Sequence, residues 1–233
     1  MEKYKEFTKE TRNMKLGGRK GYTLNDDFFE IIDTPEKAYF LGFLYADGCV
    51  IRNSNGLLFQ LKENDLYIIE KFRSLLEFTG PIRLVVRKNN HYKLVVYSSK
   101  LIKDLFKWGV ISNKSNILDE LPNLNEDMMS HFIRGYFDGD GYIGACKRGR
   151  NQKNSLRFNV VGTENFLLNL QEILIKELGL TKTKLQVYKW TNARGLEYGG
   201  NSNAKKIYDY LYKNNPLCLT RKKRRFEEVL GAD

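Results

Sequence analysis

Two stretches of this chain spell nearly the same phrase at the end of an expected helix: FLGFLYADG, from Phe40 to Gly48, and IRGYFDGDG, from Ile133 to Gly141. Each closes on a small residue, an aspartate and a glycine: Ala46-Asp47-Gly48 and Gly139-Asp140-Gly141. The aspartates lie about one small domain apart. A helix present twice, each copy delivering a carboxylate at its last turn, points to two matched halves. It also suggests a two-fold site that binds metal and cuts an anionic substrate.

The sequence after each aspartate supports the duplication. Gly48 is followed by a short strand from Cys49 to Arg52, a turn over Asn53–Gly56, and LLFQLK. Gly141 is followed by Tyr142-Ile143-Gly144, a basic loop, and LRFNVV. Leu57, Phe59 and Leu61 alternate with Leu58, Gln60 and Lys62, and Leu156, Phe158 and Val160 with Arg157, Asn159 and Val161. That period of two predicts a sheet wet on one side. A helix follows in each copy, capped by Asn64 or Asp65 in the first and by Thr163 in the second, where Gly179 ends it. Next come a hairpin and a last helix. The expected fold is α+β: duplicated αββαββα units in pseudo-two-fold relation, two antiparallel sheets and a central pair of packed motif helices. The boundaries are a basic N-terminal extension, 1–34, a first half, 35–122, and a second half, 123–233.

The motif helices have their own logic. Asp33 or Thr34 before Pro35, and Asn125 before Glu126 and Asp127, are good helix starts. Apolar residues surround much of each helix, so both should be buried. Gly42 and Ala46 are four apart on one face, as are Gly135 and Gly139, which lets two backbones approach closely. Each aspartate faces the negative end of its helix dipole, an unfavourable placement of roughly 0.3–1 kcal/mol that a cation would offset. Hard oxygen ligands favour Mg2+, and Mn2+ or Ca2+ can occupy the same positions. Such ions activate water and stabilise the leaving oxygen of a phosphodiester. The bland alternative is that each Asp-Gly is a helix-stop turn with Gly48 and Gly141 in left-handed caps.

Composition agrees with a polyanion partner. The 233 residues carry 39 Lys+Arg against 28 Asp+Glu, a formal charge of +11, which favours nucleic acid. The chain has no apolar run long enough to span a bilayer, and its charged N-terminus does not read as a secretory signal. Cys49, Cys146 and Cys218 are widely spaced, which argues against zinc and for reduced thiols. The expectation is intracellular residence, in cytoplasm, nucleoid or organelle matrix. His91 and His131 stand in no metal-ligand or triad spacing.

These residues resemble the LAGLIDADG homing endonuclease family in its single-chain, two-motif form, over nearly all of residues 35–226. The resemblance implies a monomer with two saddle-shaped sheets in the DNA major groove and motif helices ending at the scissile phosphates. It implies a site-specific double-strand break with divalent metal, promoting homing of an intron or intein. By that likeness Asp47 and Asp140 are the metal-binding catalytic acids. Gln60 and Asn159 match the polar residue near the active-site water, and Lys114 and Lys222 match the lysine after each copy's last helix. Arg221 or Lys223 would replace Lys222 if the register slips. Two departures stand out: Asp138 where the first motif has Tyr45, and Arg134 where it has Leu41. The better expectation for Asp138 is a solvated or structural role.

Sheet faces that mix apolar residues with Arg, Lys, Gln and Tyr suit major-groove readout. The candidates are Arg52, Lys62, Arg83, Arg87, Lys93, Arg157, Lys184, Gln186 and Tyr188, with Arg148 and Arg150 in a loop suited to phosphates or outer bases. Residues Tyr22 to Ile32, with Phe28, Phe29, Ile31 and Ile32, should pack on the core. The run Arg221 to Arg225 reads as the end of a DNA-binding helix. Intron RNA is a further possible partner. An RNA-splicing maturase and a catalytically silent DNA-binding protein are the alternatives on the same scaffold. The retained aspartates favour the nuclease.

Overall fold

The computed structural model describes residues 21–51, 54–86, 88, 90–110, 120–146, 155–189, 191–214 and 216–231. These divide into two compact units. The first holds residues 21–31 and 48–110; the second holds 32–47 and 120–231.

In the first unit, β1 (Cys49–Ile51), β2 (Gly56–Lys62), β3 (Arg83–Val85) and β4 (His91–Tyr97) form an antiparallel sheet of order β1-β2-β4-β3. The alternation along β2 is the cause of its orientation: Leu57, Phe59 and Leu61 are buried while Lys62 is exposed. Helix α2 (Leu66–Leu75) packs on this inner face, with the Phe72 ring 5.3 Å from that of Phe59. Helix α3 (Ser99–Lys107) starts where the Ser98 hydroxyl accepts from the Leu101 amide at 3.2 Å. Gly109, with φ of 92°, takes the left-handed conformation just beyond it. The segment from Tyr22 to Ile31 packs as expected through Phe28 and Phe29, and the Trp108 indole donates to the Phe29 carbonyl at 2.6 Å. Ile31 corrects that expectation, being 62% exposed. Lys100 ties the segment down electrostatically, reaching Asp27, Glu30 and Asp104 at 2.7, 2.6 and 2.9 Å.

The second unit is built on α1 (Pro35–Asp47) and α4 (Glu126–Asp140). Its sheet, β5 (Gly141–Cys146), β6 (Ser155–Gly162), β7 (Gln186–Val187) and β8 (Arg194–Gly199), has order β5-β6-β8-β7, the same topology as the first. Helices α5 (Glu164–Leu178), α6 (Asn201–Tyr212) and α7 (Thr220–Leu230) complete it. Phe137 of α4 stacks on Phe158 of β6 at 4.8 Å and meets Phe226 of α7 at 6.0 Å.

Two four-stranded antiparallel sheets and seven α-helices among the described residues make this an α+β fold. Compactness divides the chain differently from the sequence repeat. The expected halves are 35–122 and 123–233, whereas α1 packs on α4 and so falls in the second unit. The basic run of residues 221–225 lies within the eleven-residue α7 rather than closing a helix.

Candidate active site

The pairing of α1 with α4 follows from the four small residues. A Cβ on Gly42 would collide with the Phe132 carbonyl, and one on Gly135 with the Tyr39 carbonyl. Each glycine therefore faces the carbonyl three residues before the other, a reciprocal contact. Further along, a Cβ on Gly139 would collide with that of Ala46. Glycine inside a helix costs about 0.5–1 kcal/mol relative to alanine. Close backbone packing and the burial of Ala38 through Tyr45 offset that cost.

Both helices end on an exposed aspartate, Asp47 and Asp140. Neither following glycine is left-handed. Gly141 is extended, with φ −82° and ψ 157°, and Gly48 is not among the glycines of positive φ. The helix-stop reading therefore does not describe these turns, because α4 runs directly into β5. Glycine is needed at position 141 for space, since a Cβ there would strike the Phe137 ring and carbonyl. The starts are less regular than expected. Thr34 accepts from the Lys37 amide at 3.3 Å, but Asn125, Asp65 and Thr163 make no side-chain cap.

Lys222 sits beside these ends. It is buried, and its ammonium donates to the carbonyls of Phe137, Asp138 and Gly141 at 2.5, 2.7 and 2.6 Å. It thus satisfies backbone groups left open at the end of α4. Burial pulls its pKa down to about 8, against the opposing pull of Asp138 and, more weakly, Asp47 and Asp140. Both motif carboxylates therefore act on one ammonium.

The departures from the repeat are structural. Asp138 is buried and accepts hydrogen bonds from the Tyr39 hydroxyl and the Leu219 amide at 2.8 and 2.7 Å. Burial holds its pKa above the usual carboxylate range, with Lys222 the largest opposing influence. Arg134, also buried, donates to the Leu217 and Leu211 carbonyls at 2.9 and 3.1 Å and stacks its guanidinium 5.3 Å from the Tyr39 ring centre. It lies 2.8 Å from His131 Nδ1. Burial, and after it the Arg134 charge, bring the His131 pKa down to about 4.

The other expected residues distribute over the two sheets. Gln60, Lys93 and Arg83 are register partners in one row across β2, β4 and β3. The corresponding row in the second sheet is Tyr142, Asn159 and Glu197. Asn159 corrects the wet-face expectation: it is only 9% exposed, and its amide donates to the Tyr188 hydroxyl at 3.4 Å. Arg157 pairs with Glu197 at 3.2 Å. Lys62, Arg83, Arg157, Lys184, Gln186 and Tyr188 are exposed. Arg52, Arg87, Lys114, Arg148 and Arg150 lie outside the described residues.

Of the cations in TRKKRR it is Lys222, the one the family resemblance selects, that is buried. Leu219 at the N-cap of α7 and Lys222 and Phe226 within it recur at helical spacing, and all three are buried. That periodicity marks Lys222 as inward-facing.

Oxygen donors at two converging helix ends suit a hard cation whose remaining positions go to water and phosphate. Among the described residues no group of three or more His, Cys, Asp and Glu assembles a complete cage. No described helix is long and apolar enough to cross a membrane.

No family model matches the chain. Among curated proteins of Methanocaldococcus jannaschii, it is 30% identical over 114 residues to a probable translation initiation factor. It is 28% identical over 152 residues to a DNA-directed RNA polymerase subunit, and 28% identical over 211 residues to an ATP-dependent DNA helicase. These alignments cover 45%, 64% and 82% of this chain but only 9%, 17% and 16% of the relatives. Among solved structures, it is similar to the LAGLIDADG meganuclease I-AabMI bound to uncleaved DNA, at 17% identity and TM-score 0.56, over 85% of this chain and 89% of that one. It is also similar to the I-LtrWI LAGLIDADG homing endonuclease bound to target DNA, at 12% identity and TM-score 0.58, over 88% and 89%. The class is thus a duplicated α+β protein built on a glycine-paired helix couple. The fold is that of the LAGLIDADG homing endonucleases.

Proposed function

We propose that the chain belongs to the LAGLIDADG family and is a site-specific DNA endonuclease that makes a double-strand break by Mg2+-dependent phosphodiester hydrolysis. The observation that carries this reading is the reciprocal glycine contact that brings two helices together, each ending on an exposed aspartate. The charge of +11 and the DNA bound in the solved structures of the same fold support the substrate. The three relatives share no activity by name, and each matches over a minor share of its length. That pattern supports a segment that moves between hosts, as homing of an intron or intein requires.

Asp47 and Asp140 would hold the metal, which when bound supplies Lewis-acid stabilisation and an activated water. The chain's own residues place those carboxylates: the glycine contact sets the separation of the helices, and Lys222 fixes the turn around Asp140. Lys222 also adds positive charge near the developing phosphorane, and by the family likeness Gln60 and Asn159 would be the polar residues that act on the attacking water. Lys114 is proposed as the counterpart of Lys222 in the first half. Lys62, Arg83, Lys93, Arg157, Lys184, Gln186 and Tyr188, with Arg52, Arg87, Arg148 and Arg150, would meet bases and phosphates. The chain would act as a monomer.

The test is cleavage of a randomised duplex library with Mg2+, alongside Asp47→Asn and Asp140→Asn proteins. A defined double-strand cut that falls by about 10³-fold or more in either variant is expected. Selective binding without a cut in Mg2+ or Mn2+ would sink the catalytic claim and leave a DNA-binding regulator. If neither occurs, intron RNA becomes the substrate to try.

A further inference from the structure

The second motif holds a carboxylate that the proposed hydrolysis does not use. Asp138 is 1% exposed, two residues before the exposed Asp140. Its Oδ2 accepts from the Tyr39 hydroxyl of α1 and from the Leu219 amide, and its Oδ1 from the Tyr212 hydroxyl of α6 at 3.3 Å. Leu219 is the residue that caps α7. Asp138 therefore fixes the point where α7 begins.

One turn into α7, the connection returns. The Leu219 carbonyl accepts from the Lys222 amide at 2.9 Å. The Lys222 ammonium gives all three of its donors to carbonyls on both sides of Asp140, those of Phe137, Asp138 and Gly141. The end of α4 and the start of α7 thus hold each other in two directions, and the Asp140 turn lies between the two contacts. Arg134 adds a third tie through the Leu217 carbonyl, just before α7.

The first motif has no such carboxylate. Tyr45 stands at the matching position, with its ring 5.0 Å from Phe132 and 6.4 Å from Phe166. The carbonyls that hold Lys222 all lie around Asp140, so the device bears on Asp140 more than on Asp47.

We propose that Asp138 is a positioning residue: through the Leu219 amide it seats Lys222 against the carbonyls around Asp140, and so governs cutting of one DNA strand more than the other. The second clause rests on the endonuclease reading; the seating of Lys222 does not. Loosening the seat displaces the Asp140 turn, and a displacement of about 1 Å at a reacting centre can cost about 10²-fold in rate.

Two measurements on the full chain test this. The first is amine acylation followed by peptide mass spectrometry. Lys222 is expected to be protected in the unaltered protein and acylated roughly tenfold faster or more in Asp138→Ala, because local opening governs its access. Asp138→Asn keeps an oxygen for the Leu219 amide and should restore protection. The second is Mg2+-dependent cleavage of a supercoiled target with each strand labelled separately. Asp138→Ala should accumulate nicked product, with one strand slowed about 10²-fold, and Asp138→Asn should cut both strands nearly evenly. Should the alanine protein fail to fold, Tyr39→Phe removes one of the two donors on Oδ2 and should show the same bias at smaller amplitude.

Unchanged protection of Lys222 in Asp138→Ala, or in Tyr39→Phe where that variant stands in, overturns the proposal whatever cleavage shows. Equal slowing of both strands overturns the strand assignment. An unaltered protein that cuts no DNA sinks the endonuclease reading and the strand assignment with it, while faster acylation of Lys222 still upholds its seating by Asp138.

Discussion

The two motif helices meet through the same contact and end in different surroundings. Along their shared face, Gly42 and Gly135 play interchangeable parts, each against the other helix's carbonyl. At positions 41/134 and 45/138 the likeness stops. Leu41 and Tyr45 are ordinary buried residues, whereas Arg134 and Asp138 are buried ionisable groups held by hydrogen bonds. Symmetry is retained where two backbones touch, because no side chain other than hydrogen fits there. It is lost one layer out, where each helix meets its own neighbours.

The largest effect should come from the asymmetric layer. Arg134→Met leaves the Leu211 and Leu217 carbonyls without their donor and removes a cation near Asp138, a loss of about 3–5 kcal/mol by chemical denaturation. Leu41→Met, at the matching position, should cost less than about 1.5 kcal/mol. Similar losses from the two would break the contrast between the motifs.

The symmetric layer comes next. Gly42→Ala and Gly135→Ala each gain up to about 1 kcal/mol of helix propensity but force the helices apart, for a net loss of about 2–3 kcal/mol. Thermal melts should place the two variants close together. A wide difference would show that the glycine contact is less reciprocal than its geometry.

The sheets extend the comparison to binding. The first presents Gln60, Lys93 and Arg83 in a row; the second presents Asn159 beside Glu197, which already engages Arg157. Lys93→Gln should weaken DNA binding and reduce the slope of log affinity against log salt by about one unit. Glu197→Gln should strengthen non-specific binding by releasing Arg157. Fluorescence anisotropy across a salt series measures both. Equal and same-signed shifts would show that the two faces act alike.

The smallest effect concerns the far end of α7. Burial raises the Glu227 pKa, but hydrogen bonds from Lys223 and Tyr208 outweigh it and leave the carboxyl below its ordinary value of 4.5. A carboxylate lowered on folding stabilises above its unfolded value and loses that contribution as pH falls through its folded value. Glu227→Gln should therefore cost less than about 1 kcal/mol at neutral pH, and the gap to the unaltered protein should close in acid. A gap that persists at low pH would assign the loss to packing.

Much of the scaffold was legible because period and spacing report local geometry. The alternation of Leu57, Phe59 and Leu61 placed β2, and the paired four-residue spacing of Gly42/Ala46 and Gly135/Gly139 placed the helix contact. The expected caps at Asn125 and Thr163 failed because a residue type suited to capping does not ensure that its side chain turns back to the helix. Asn159 and Gln60 looked equivalent in sequence, yet Tyr188 covers one of them, and no local pattern records that neighbour.

The sequence by itself determined the duplication, the two helix-end aspartates and the small residues that let the helices meet, because these follow from periodicity and from the absence of side chains. Only the tertiary structure decided that Asp138 is a buried anchor, which carbonyls the Lys222 ammonium meets, and that α1 packs in the second unit. Burying a charge is costly unless partners surround it, and those partners, Tyr39, Tyr212 and Leu219, come from parts of the chain that only folding brings together.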